Sequence, residues 1–218
     1  MAKRIEVGVI GLGKFGFALA ETLKEIGHDV IGIDGNMEKV RRAKTLLNQV
    51  YQADGTDRIA LEQIGLKDIE NVVVSIGNSM GNSILVAMNL LELGVPNLWV
   101  KAISEEHERV LKRLGVDNVI FPEQFMARQL AHRLAFPGLL DYLPLGSGVM
   151  LSEAEVDRWD GKTIRELALP SMHSIQIVAL KKAGSPSFSF VPQATEKLSK
   201  GDILVLLGDT KNLSDLES

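Results

Sequence analysis

The run Gly11-Leu12-Gly13-Lys14-Phe15-Gly16 fits the pattern G-x-G-x-x-G. Glycines at that spacing handle phosphate through the backbone. The first permits a tight turn, the second lets the chain approach a phosphate, and the third lets a helix pack closely on a strand. Backbone N–H groups and the positive end of the helix then hold the anion. Asp34 stands 18 residues after Gly16, where an acid accepts hydrogen bonds from ribose hydroxyls. The same acid repels a 2′-phosphate, so the expected ligand is an adenosine nucleotide other than NADP. Lys14 opens the helix, where a cation opposes the dipole. It reads either as a phosphate contact, which an anion would justify, or as a solvated surface lysine.

The motif carries weight only if a strand precedes it and a helix follows. Ile5–Ile10 is a β-branched run, and Lys14 to Ile26 places Phe15, Leu19, Leu23 and Ile26 at helical spacing. Strands are expected at Asp29–Ile33, Gln49–Ala53, Asn71–Gly77, Asn97–Ala102 and Asn118–Phe121. Helices are expected at Met37–Leu47, Thr56–Ile64, Asn82–Leu93, from Ser104 to Leu114, and from Pro122 to about Phe136. Apolar strands alternating with helices predict an α/β fold, a Rossmann-like doubly wound parallel sheet. Ligands of such sheets bind at the carboxyl ends of strands. That places Asp54, Gly55 and Thr56 after the third strand, and Ile76, Gly77 and Asn78 after the fourth, toward one cleft. Asp54 has two readings, an N-cap for a helix at Thr56 or an adenine contact. Lys101, inside the apolar run LWVKAI, needs an anionic partner. Phe15, Asn36 and Lys39 complete the candidate cofactor-binding residues.

The pattern changes after residue 138. Thr163-Ile164-Arg165-Glu166 reads as a capping box, Ser174–Lys182 and Phe188–Val191 as strands around a turn, and Ile203–Leu207 as a last strand fed by Lys200-Gly201-Asp202. Residues 139–218 are therefore expected to form a small α+β domain after a nucleotide-binding domain of residues 1–138, with a hinge near Pro137–Leu145.

Several functions lose support. A formal net charge of −4 with no basic cluster argues against a nucleic-acid partner. No cysteine means no thiolate metal site or catalytic thiol. The four histidines show no metal spacing, with His107 and His132 expected on polar helix faces. Gly161-Lys162-Thr163 lacks the earlier glycine of a P-loop, because Val156 stands there. The uncharged run Asn71–Leu91 has a polar middle and reads as strand, loop and helix rather than a membrane span. A small NAD-dependent oxidoreductase is the alternative function, but the second half offers no evident acid/base constellation.

The segments VIGLGKFG, GHDVIGID, ADGTD, VVVSIGNSMGNSI, NLWVKA and GVDNVIFPE resemble the RCK domain (KTN or TrkA-N) of potassium-transport regulators. Asp160 to Leu167, IVAL and KGDILVLLG resemble the companion RCK-C (TrkA-C) domain, and the pair resembles the Ktr-type cytosolic gating subunit. The resemblance implies a cytoplasmic, non-enzymatic regulatory subunit, held at the inner face of the membrane by a separate potassium channel or transporter subunit. It implies a homo-oligomer, a dimer built into an octameric ring, that binds ATP or ADP, with NAD(H) as another ligand. It places Lys14 where relatives often carry an arginine that reaches the terminal phosphate. It implies that Glu123 helps hold Mg²⁺ or another cation at the phosphates where two such domains meet. For the C-terminal domain it suggests cyclic di-AMP.

Overall fold

In the computed structural model, which describes residues 4–135, 139–142 and 149–217, the first half alternates strand and helix without exception. The order is β1 (Glu6–Ile10), α1 (Lys14–Glu25), β2 (Asp29–Asp34), α2 (Met37–Ala43), β3 (Gln49–Gln52), α3 (Arg58–Ile64), β4 (Asn71–Val74), α4 (Met80–Glu92), β5 (Asn97–Lys101), α5 (Glu105–Arg113), β6 (Asn118–Ile120) and α6 (Pro122–Ala135). The strands are parallel and lie side by side as β3-β2-β1-β4-β5-β6.

Both faces of the inner strands β1, β2 and β4 are buried, which explains why these strands read as continuous apolar runs; the edge strand β3 is mostly exposed. Val72 and Val74 pack with Leu61, Val86, Leu90 and Leu111 from α3, α4 and α5. Val73, pointing the other way, packs with Val7, Val9, Phe17 and Leu47 on the side of α1 and α2. The chain leaves β1 over one face and enters β4 over the other, so the strand order reverses between them. The crevice of an open parallel sheet lies at such a point.

The second half is antiparallel. Its elements are β7 (Leu139–Tyr142), β8 (Val149–Glu155), α7 (Ile164–Leu167), α8 (Leu169–His173), β9 (Gln176–Lys181), β10 (Ser189–Phe190), β11 (Ile203–Asp209) and α9 (Thr210–Glu217). The sheet order is β10-β9-β11-β8-β7, around a core that includes Met150, Ile175, Leu180, Leu198 and Leu204. The capping box is formed: Glu166 accepts from the Thr163 N–H at 2.6 Å, and Thr163 Oγ1 accepts from the Glu166 N–H at 3.3 Å. The Lys200-Gly201-Asp202 turn is held by Asp202, which is 1% exposed. Its carboxylate accepts the N–H groups of Ala183 and Ser199 and the Lys182 ammonium, each at 2.9 Å.

Three features depart from the sequence reading. The stretch expected as a hinge contains β7, which pairs with β8, while residues 137–138 and 143–145 of that stretch lie outside the described residues. Helix α8 breaks no apolar pattern long enough to register as a helix, and it starts at a Leu-Pro pair. Helix α9 follows β11 directly, with Asp209 accepting the Asn212 N–H at 2.9 Å. The packing divides the chain into Met1–Pro122 and Glu123–Ser218, so α6 from Glu123 onward groups with the second unit.

Candidate nucleotide-binding cleft

The cleft lies within the first unit, at the carboxyl ends of β1 to β4, and has a volume of about 820 Å³. Its floor is the glycine-rich loop. Gly11 takes φ +94°, and a Cβ there would stand 2.6 Å from the Ser75 carbonyl oxygen. A Cβ on Gly16 would overlap the Gly11 carbonyl oxygen, so α1 can seat against the turn only with glycine at that position. Gly13 differs. A Cβ on it would meet no protein atom within 4 Å, so the bare backbone there leaves open space rather than avoiding a neighbour. Gly13 is also the N-cap of α1 and offers no side-chain cap. Together these make a cradle that fits a phosphate, with orphan N–H groups at a helix start.

Asp34 closes β2 and is 9% exposed. Its carboxylate accepts the N–H of Leu12 and of Asn36, each at 2.8 Å, and Lys39 Nζ at 3.1 Å. Asn36 caps α2, its side chain accepting from the Glu38 and Lys39 N–H groups. The acid, the loop and the helix start therefore form one hydrogen-bonded unit.

On the β3 side, Asp54 accepts the N–H and the hydroxyl of Thr56, at 2.9 and 2.8 Å. Those bonds hold its carboxyl below the ordinary carboxylate range. The helix cap is Asp57, not Asp54: α3 begins at Arg58, and Asp57 accepts from the Ile59 and Ala60 N–H groups. Asp54 is free of that duty and lines the cleft with Gly55 and Thr56. Gly55 sits under Val86 and Ile10, which a Cβ would crowd. On the β4 side the lining residues are Ser75, Ile76, Gly77 and Asn78.

Of the residues expected to bind a cofactor, the cleft thus brings together Gly11, Gly13, Asp34, Asn36, Lys39, Asp54, Gly55, Thr56, Ile76, Gly77 and Asn78. Lys14, Phe15, Gly16 and Lys101 stand outside its lining. Lys14 is exposed at the start of α1. Lys101 is half-buried and holds its ammonium 5.6 Å from the centre of the Phe15 ring, within 4.0 Å of where a Cβ on Gly77 would be. Glu123 is the second residue of α6, in the second unit. His107 is not on a polar face. It is fully buried beside Leu111, accepts the Ile103 N–H at Nδ1, and is held below its usual pKa by burial.

Residues 7–122 match the family model of the TrkA-N domain, and residues 151–218 that of the TrkA-C domain. The chain belongs to the TrkA-N/TrkA-C family. It is 35% identical over 213 residues to the Ktr system potassium uptake protein C of Bacillus subtilis (strain 168), covering 97% of this chain and 96% of that protein. It is 32% identical to the Ktr system potassium uptake protein A of Vibrio alginolyticus, covering 96% and 95%. Among solved structures it resembles a GsuK channel bound to NAD, at 20% identity and a TM-score of 0.56, over 99% of this chain and 38% of that one. It also resembles the TrkA-N domain of the inner membrane protein ybaL from Escherichia coli, at 13% identity and a TM-score of 0.55, over 62% and 99%. Those two likenesses are of fold.

The TrkA-N half also places residues in the cleft that sequence reasoning missed. Gly35, Gln52 and Asn82 line it. Gln52 ends β3 and donates to the Gly35 carbonyl at 3.3 Å, so a strand-end polar residue was the available signal. Asn82 enters because α4 begins at Met80, two residues before its expected start, with Ser79 as cap.

Proposed function

We propose that this chain is a cytoplasmic, nucleotide-sensing regulatory subunit of a membrane potassium uptake channel or transporter, and not an enzyme. One observation carries the reading: 35% identity to a Ktr potassium uptake protein across nearly the whole of both chains. The cleft supports the sensing part, because a phosphate cradle at Gly13 and an acid at Asp34 fit the phosphate and the ribose of an adenosine phosphate. The proposed ligand is ATP or ADP, with NAD(H) as the second candidate. Gly11, Gly13 and Gly16 form the phosphate loop, Asp34 takes the ribose, and Asp54 to Thr56 flank the base. Lys14, with Phe15 beside it, reaches the outer phosphates, and Lys101 adds positive charge at the Gly77 side. Among the described residues no cluster of three or more His, Cys, Asp or Glu is placed to hold a metal. By the family resemblance, Glu123 helps hold Mg²⁺ or another cation at the phosphates where two copies of the chain meet.

The chain acts as a homo-oligomer, a dimer assembled into an octameric ring, whose shape follows the bound nucleotide and pulls on the membrane subunit. A C-terminal domain that takes cyclic di-AMP would add a second input. Among the described residues no helix is long and apolar enough to cross a membrane. The test is titration of the purified protein with ATP, ADP, NAD and NADH, with the mass in solution recorded for each state. Binding of ATP and ADP with different assembly behaviour is expected. No nucleotide binding overturns the sensing reading, and turnover of nicotinamide would favour an oxidoreductase instead.

A further inference from the structure

Lys39 is the cation that faces the ribose acid. Its Nζ lies 3.1 Å from Asp34 Oδ2, and both residues line the cleft. The two partners differ in freedom. Asp34 is a buried strand residue pinned by the Leu12 and Asn36 N–H groups. The Lys39 side chain is 44% exposed. Its backbone is fixed in the first turn of a helix capped by Asn36, but its ammonium rides on a flexible four-carbon stem.

The acceptor count decides what a sugar must do. A carboxylate offers about four lone-pair positions. On Asp34, Asn36 uses one on Oδ1, while Leu12 and Lys39 use both on Oδ2. A ribose diol brings two O–H donors to the two oxygens. One of them finds Oδ2 filled, and Lys39 is the member of the set that can leave. The displaced ammonium then sits within reach of the sugar oxygen that replaced it.

We propose that Lys39 sets the charge this site accepts at the ribose 2′ position. With a 2′-hydroxyl it yields Oδ2 to the sugar. With a 2′-phosphate it turns its ammonium from Asp34 to the phosphate, offsetting the repulsion between the two anions. An acid that carries its own counter-ion is a weak barrier to a second anion, so the exclusion of NADP-type ligands expected from Asp34 alone does not follow. The inference rests on the reading of the cleft as an adenosine-nucleotide site with the ribose at Asp34.

The pair 5′-AMP and adenosine 2′,5′-bisphosphate isolates the effect, because the two differ only in the 2′-phosphate. Both are titrated against the unmodified chain, Lys39→Gln and Lys39→Arg, with thermal unfolding as the check on fold. The unmodified chain is expected to bind the two within about tenfold of each other. Lys39→Gln should weaken the bisphosphate relative to AMP by about tenfold or more, through loss of a charge-assisted contact. Lys39→Arg should keep the unmodified ratio. A ratio that Lys39→Gln leaves unmoved overturns the proposal, as does exclusion of the bisphosphate by an unmodified chain that binds AMP. Failure of the unmodified chain to bind AMP, ATP and NAD alike would instead overturn the nucleotide reading on which this one stands.

Discussion

The Asp34 carboxylate accepts the backbone N–H of Leu12 at 2.8 Å, so the acid that ends β2 also pins the glycine-rich loop that follows β1. The two halves of the G-x-G-x-x-G…Asp signature are therefore one mechanical unit. Removal of the Asp34 carboxylate loosens the loop as well as emptying the end of β2. Asp34→Ala should weaken ATP, ADP and NAD together rather than any one of them. It should also lower folding stability by about 1.5–3 kcal/mol, because the buried Leu12 N–H loses a charged acceptor. Urea unfolding and nucleotide titration of the same variant check both. Unchanged affinity for every nucleotide would remove Asp34 from the site.

How much of this was legible follows from which signals are local. The inner strands β1, β2 and β4 were readable because burial on both faces makes them almost wholly apolar, and Gly11, Gly16 and Asp34 because their spacing is fixed by close backbone approach. The start of α3 was misplaced by two residues because Asp54 and Asp57 are both good caps, and only the fold shows that Asp54 turns back on Thr56 while Asp57 caps the helix. His107 was misjudged by its residue type. Its spacing from Leu111 is that of one buried helix face, and the charged residues around it masked that stripe. The Lys39–Asp34 pair joins residues whose side chains meet only when α2 turns back over the end of β2.

Asp202 gives the second half a pH dependence. Burial pushes its carboxyl pKa up, but the Ala183 N–H, the Lys182 ammonium and the Ser199 N–H outweigh that and hold it below the ordinary value. A native pKa below the unfolded value of about 4 means that its contribution is complete above that pH. It is lost as the pH falls through the lower native value. Asp202→Asn should lower stability near neutral pH by about 1.5–3 kcal/mol and make the acid limb of the stability curve shallower. Urea midpoints measured from neutral pH down through the acid range test this. An acid limb of undiminished steepness in the variant would contradict it.

Lys14 has no ion-pair partner among the described residues and stands exposed at the positive end of α1. If it serves the outer phosphates, its worth must grow along the series AMP, ADP, ATP. Lys14→Ala should cost ATP about tenfold in affinity and leave AMP almost unchanged. An equal loss for all three would mean that the side chain supports the loop rather than the ligand.

Glu123 is the acidic residue in the first turn of α6, where a carboxylate is favoured by the helix dipole whatever else it does. Two roles therefore have to be separated. As a simple dipole partner, its replacement in Glu123→Gln should cost a few tenths of a kcal/mol of stability and leave nucleotide binding alone. As an oxygen ligand to a hard cation at the phosphates, the same change should abolish the dependence of ATP binding on divalent cations while ADP binding survives. The proposed ring gives the second role a further consequence. A cation shared between two copies ties ATP to assembly, so Glu123→Gln should also reduce any ATP-driven change in solution mass. Titrations of ATP with and without Mg²⁺, run on both proteins with mass recorded, separate the two. An unmodified chain whose ATP affinity is already indifferent to divalent cations rules the cation role out.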